Sequence, residues 1–449
     1  MAATSCAPML SSRQRLLPRP APGSRLLEDT QATAEARRPD LHAVEDAGVS
    51  RALPVLGSAP VPPADVPAWA AKGFRPFFLL AGGFAALIML LWLLALAGRV
   101  HVDSYLGAMY WHAHEMVFGF VAAVLAGFLL TAVANWTQRE TAVGGPLIVL
   151  VALWLAGRVA FAAAAVLPVP VVAVADLAFL PALAVVVGRA LVGAKNRRNY
   201  AVLGVVLALW LADLAIHLDG NRILAGWLWR ATLGALDVVT LLILLISARV
   251  FPMFTRNATQ VASIRNVPAL DMATVAAMAA LAITDVAFPE TRAGTALAGA
   301  TAALALARSV PWGARHTARH PLLWILHAGH AWIVIGLGLR VAAAFTGRVT
   351  ASSAVHALTV GAIGCTTLGM MARVSLGHSG RTLVAPYPVA LAFGALVLAG
   401  IVRVLGPFSL SIYPAMLYLS GTLWSLAFAT FTVVYARILV RPRIDGRPG

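Results

Sequence analysis

The segment YWHAHEMVFGF, residues 110–120, carries two histidines and a glutamate at the mouth of a long apolar run. On a helix, residues two apart point about 200° away from each other, so His112 and His114 cannot both face one ion once the helix has begun. Glu115, three after His112, shares its face and is placed to orient its imidazole. If His112 instead belongs to a non-helical entry turn, both rings are free to converge.

Other ionisable groups also stand in apolar runs, where insertion costs about 2.5 kcal/mol or more and calls for a partner or a task. They are Arg158, Asp176, Asp213, His217, Asp237, His327, His330, Arg340 and His356. For the aspartates and arginines the first expectation is salt bridging between helices, such as Arg158 with Asp176 or Asp213. Imidazole is a common metal ligand, and His112, His114, His217 and His356 fall near one level of the membrane. His327 and His330, at i and i+3, share a helix face on which one ion or ligand can touch both. His112, His114, His327, His330 and His356 are therefore the candidate metal ligands. With only Cys6 and Cys365 present, a metal must sit on nitrogen and oxygen.

An echo links two of these runs, because His114, Gly119 and Gly127 have the spacing of His356, Gly361 and Gly369. Glycines there admit close approach of helices or of a flat cofactor. Two opposed histidines are what a haem iron takes as axial ligands, which makes His114 and His356 the haem candidates. Arg158 and Arg340 are the cations available to balance its propionates.

The elements that position these groups follow from composition. Of 449 residues, 60% are hydrophobic and 12% charged, and the mean hydropathy is +0.83. Such a chain is a membrane protein. Lipid offers the backbone no hydrogen bonds, so its apolar runs must be helices of roughly 20 residues. The expected fold is all-α and polytopic, with about twelve transmembrane helices at 77–97, 112–134, 146–166, 168–192, 200–218, 231–254, 268–288, 293–313, 321–345, 352–375, 386–405 and 412–440.

Residues 1–70, rich in Pro, Ala and Arg and without a secretory core, are expected to form a disordered cytoplasmic tail. Residues 71–441 form the transmembrane domain, and 442–449 a short basic tail. Even-to-odd loops carry Arg139, Lys195, Arg197, Arg198, Arg256, Arg265, Arg315, Arg319 and Arg381, whereas odd-to-even loops are poorer in basic residues. Both termini are thus expected in the cytoplasm. The net charge of +16 is spread over the tail and cytoplasmic loops, which suits anionic membrane lipid and not nucleic acid.

Six stretches, GFRPFFLLAGGFA (73–85), YWHAHEMVFGFVAAVLAGFLLTAVANWT (110–137), ARVFPMFT (248–255), LHAGHAW (326–332), HALTVGAIG (356–364) and ARVSLGHSGR (372–381), together resemble the NnrS family of bacterial membrane proteins. The resemblance runs from about residue 73 to the end. It implies a twelve-helix inner-membrane protein associated with denitrification and with nitric oxide or a related small molecule, binding haem b and copper. By similarity His112, His114, His327 and His356 carry over as haem or metal ligand candidates. Arg75, Arg373, His378 and Arg381 carry over as family-pattern residues without a role.

The leading expectation is a haem- or copper-binding membrane protein that handles nitric oxide or protects against nitrosative stress. The alternative is a transporter of copper, a metal chelate or a small anion, whose ionisable residues near the midplane form a transient site. A sensor or assembly factor without turnover is the third. No GxxxxGK[ST] loop is present, which argues against an ATP-driven pump.

Overall fold

The computed structural model describes residues 66–446. Most of the expected amino-terminal tail, and the last residues of the carboxy-terminal one, lie outside the described residues. Twelve apolar helices long enough to cross a bilayer follow one another, and there is no strand among the described residues. They are α1 (Phe74–Leu96), α2 (Ala108–Thr137), α3 (Gly145–Ala162), α4 (Val169–Gly193), α5 (Arg197–Gly220), α6 (Leu228–Thr259), α7 (Pro268–Ala287), α8 (Arg292–Trp312), α9 (Pro321–Thr346), α10 (Ala351–His378), α11 (Tyr387–Phe408) and α12 (Tyr413–Val440). The protein is a polytopic all-α membrane protein.

Each helix starts within a few residues of its hydropathic run, because the breakers are local. Pro146, Pro170, Pro268, Pro321, Pro388 and Pro414 all stand in first turns, where a missing N–H costs nothing. The bundle closes on itself, with α1 packed along α12. At their shared end the Arg75 guanidinium donates to the carbonyl of Leu439 in the last turn of α12 (3.1 Å) and to that of Arg441 directly after it (2.5 Å). The first helix therefore begins, and the last one ends, at the same face.

Two helices form the interior. The apolar windows of α2 and α10 are 83% and 78% buried, against 67% for α6 and less for every other helix. These are the two that carry the echoed histidines. Each changes form directly after its histidine: α2 is α-helical over Ala108–His114, a π-helix over Glu115–Val121 and α-helical again over Ala122–Thr137. In α10 the π segment is Ala357–Gly364, following His356. A π turn shifts the carbonyl ladder and tends to sit where a helix serves a function. Here it frees the Gly119 carbonyl, which accepts the Trp154 indole N–H (2.9 Å). The echoed glycines meet side chains of neighbouring helices, Gly119 facing Phe84 and Gly361 facing Trp332.

A second interruption lies in α4, whose α-helical hydrogen bonding breaks at Ala178. Pro181 has no N–H for the carbonyl four residues earlier. That carbonyl, of Leu177, accepts the Trp210 indole N–H instead (3.2 Å). Asp176 stands at the break.

Candidate functional site

His112 and His114 both lie inside the helix, which has started at Ala108, so they point to opposite sides of α2. Each enters a different compartment, at the end of the bundle opposite Arg75.

On one side is a closed ionic cluster. His114 Nε2 lies 3.0 Å from Asp176 Oδ2 and 3.0 Å from Asp213 Oδ1. His217 Nε2 lies 3.1 Å from Asp176 Oδ2 and 3.6 Å from Asp213 Oδ1, the latter one turn earlier on α5. All four residues are buried, and their ligand atoms lie within 4.8 Å of one another. Around them, His114 Nδ1 meets Glu115 Oε1 (3.2 Å) and His217 Nδ1 meets the Tyr105 hydroxyl (2.6 Å). Arg158 bonds Glu115 Oε1 (2.6 Å) and also Asp176 Oδ1. Burial, and then the charges of Asp213 and Glu115, raise the Tyr105 phenol well above its usual range, so it stays neutral.

Gly157 makes this meeting possible, because a Cβ there would lie 2.7 Å from Asp176 Oδ1 and 3.1 Å from its Cα. Only a bare Cα lets α3 come that close to the break in α4.

On the other side is a cavity of about 480 Å³ between α1, α2, α6, α10, α11 and α12. His112 and His356 both line it, among the walls of Trp92, Trp229, Trp424 and the thioethers of Met89, Met109 and Met116. The His112 ring stacks on Trp92 (4.5 Å between centroids, 7° between planes), and its Nδ1 has no hydrogen-bond partner. His356 Nδ1 is held by the Ser352 carbonyl (2.8 Å), which fixes the proton there and leaves Nε2 with its lone pair. Arg403 is the cation of this cavity. It donates to Ser352 Oγ (3.2 Å), its other terminal nitrogen has no partner, and among the described residues no carboxylate pairs with it.

The sequence candidates thus divide. His112 and His356 share the cavity, whereas His114 belongs to the cluster with His217 and does not line the cavity. Glu115 reaches His114 and not His112, because the π segment begins at Glu115 and its carboxylate is drawn to Arg158. Arg158 takes the salt bridge to Asp176 that its position suggested. Arg340 grips Asp285 with two bonds of 2.5 Å and is not among the cavity residues. His327 and His330 turn to different neighbours, Nε2 of the first to Thr255 Oγ1 (2.9 Å) and Nε2 of the second to the Ala305 carbonyl (2.9 Å).

Of the family-pattern residues, Arg75 caps α12, Arg373 lies 3.8 Å over the Phe254 ring, and the His378 carbonyl accepts from Arg443 (2.9 Å). Sequence reasoning passed over Arg403 and Tyr105. Arg403 could have been found as a charge in the last turn of an otherwise apolar helix; Tyr105 sits in a loop with no signal to mark it.

A family model described as NnrS protein matches residues 68–443. No curated protein matches the chain.

Proposed function

The chain belongs to the NnrS family, and from that premise we propose that it is an inner-membrane protein of nitric oxide metabolism or of protection against nitrosative stress. Its working centre is haem b or copper held in the cavity between α2 and α10.

The observation that carries this reading is the pairing of two imidazoles with available nitrogens and one carboxylate-free guanidinium around a single apolar space. A volume of about 480 Å³ falls in the range of small-ligand sites, roughly 300–1,000 Å³. His112 and His356 are the residues that would hold iron or copper there, and Arg403 the one that would balance a propionate or another anion. Met89, Met109 and Met116 add the soft thioether donors that copper(I) accepts beside imidazole. Haem iron or copper, when bound, supplies one-electron chemistry and a site to which nitric oxide binds directly. The chain's own part is to orient and to bind: Ser352 fixes the His356 tautomer, Trp92 stacks on His112 and sets its plane, and Trp92, Trp229 and Trp424 give the space apolar walls.

The test is the visible spectrum of the detergent-purified protein, oxidised, reduced and after addition of nitric oxide, with iron and copper measured by elemental analysis. The expected result is a Soret band or a copper content that His112→Ala and His356→Ala each remove. A protein that takes up neither metal when grown with both would overturn the redox reading and leave the transporter in its place.

A further inference from the structure

We propose that His114, Asp176, Asp213 and His217 form a second, separate metal site, which holds a divalent ion of the zinc or iron(II) class on two imidazole nitrogens and two carboxylate oxygens. This does not depend on what fills the cavity on the other side of α2.

Spacing is the first argument. Ligands about 2.0–2.2 Å from a common ion lie about 3.0 Å apart at right angles and about 3.4 Å apart in a tetrahedron. The four separations across this set are 3.0, 3.0, 3.1 and 3.6 Å. They fit the edges of a coordination polyhedron around one ion.

The outer partners are the second. Metal-binding imidazoles give their far N–H to a carboxylate or another acceptor, which aims the near nitrogen. Glu115 stands at His114 Nδ1 and Tyr105 at His217 Nδ1, so both Nε2 atoms are aimed at the same carboxylates. With the ring protons on the outer nitrogens, lone pairs of nitrogen and oxygen face one another across the centre, an arrangement that a bound cation satisfies.

Charge balance is the third. Glu115, Asp176 and Asp213 bring three negative charges into a buried space where Arg158 supplies one positive charge. A divalent ion restores neutrality; a single imidazolium leaves one negative charge uncompensated. With no sulfur among the donors, the set suits zinc or iron(II) better than copper(I).

The experiment grows cells with zinc or iron in excess, purifies the full chain in detergent, dialyses it against EDTA and measures metal per chain, with X-ray absorption at the zinc edge. About one ion per chain is expected, with N/O ligands at about 2.0–2.1 Å and no sulfur. Asp213→Asn and His217→Gln should each retain less than about a tenth of it, and Tyr105→Phe should bind about tenfold or more weakly, the usual cost of a lost outer partner. Tyr105→Phe also keeps the test open if the ligand variants do not fold. His356→Ala should keep its zinc while losing any Soret band, which separates this site from the cavity. Wild-type protein that elutes folded without zinc or iron, or variants that retain metal as wild type does, would show a hydrogen-bonded cluster only and overturn the proposal.

Discussion

Two compartments flank the same turn of α2, and they are built on opposite principles. The His114 side is filled: every hydrogen-bonding atom of its imidazole meets a carboxylate, and its charges come from four helices. The His112 side is open, with an imidazole nitrogen, a guanidinium nitrogen and a cavity of about 480 Å³ left without a protein partner. Buried polar groups are normally satisfied, and each exception calls for an explanation, a bound ion or ligand being one. The difference teaches that histidines two residues apart can serve unrelated ends. On one side of the helix the protein's ionisable groups close on one another, and on the other they face an open cavity.

Substitutions on the filled side should register as stability, together with loss of the ion proposed there, and those on the open side as binding alone. The largest effect is expected from Arg158→Leu, which leaves Glu115 and Asp176 without their cation; removing one partner of a buried ion pair costs about 3–5 kcal/mol. Denaturant unfolding in detergent should show it. Gly157→Ala drives a methyl into Asp176 and should cost about 1–3 kcal/mol, the range for an overpacked interior. Tyr105→Phe removes one hydrogen bond to His217 and should cost about 0.5–1.5 kcal/mol.

On the open side, His356→Ala should stay within about 1 kcal/mol of wild type, since it gives up one hydrogen bond to Ser352, while bound haem or copper is lost. Arg403→Gln should move stability least and lower the midpoint potential of a bound centre, because a nearby cation favours its reduced form; spectroelectrochemical titration reads the shift. An Arg403→Gln protein that unfolds as readily as Arg158→Leu would erase the distinction between the two sides.

Much of this architecture is legible in the sequence. The twelve helices follow from hydropathy because lipid admits little else, and proline marks several of their starts. The divergence of His112 and His114 follows from helical geometry alone, as does the stacking of Asp213 and His217 one turn apart. The approach of α3, α4 and α5 to His114 is not legible, since it depends on the Gly157 contact and on the break that Pro181 imposes, two local features whose joint effect appears only in packing. Nor are the π segments, which leave no mark in the hydropathy of α2 or α10. Arg403 escapes notice because a charge in a last turn resembles an ordinary helix end.

The clasp between Arg75 and the end of α12 has a consequence for biogenesis. Arg75 is translated 364 residues before Leu439 and 366 before Arg441. Until α12 is made, the α1 face that it covers has to be sheltered by lipid or by the insertion machinery. A chain that stalls before residue 439 lacks those carbonyl acceptors and leaves that face of α1 uncovered.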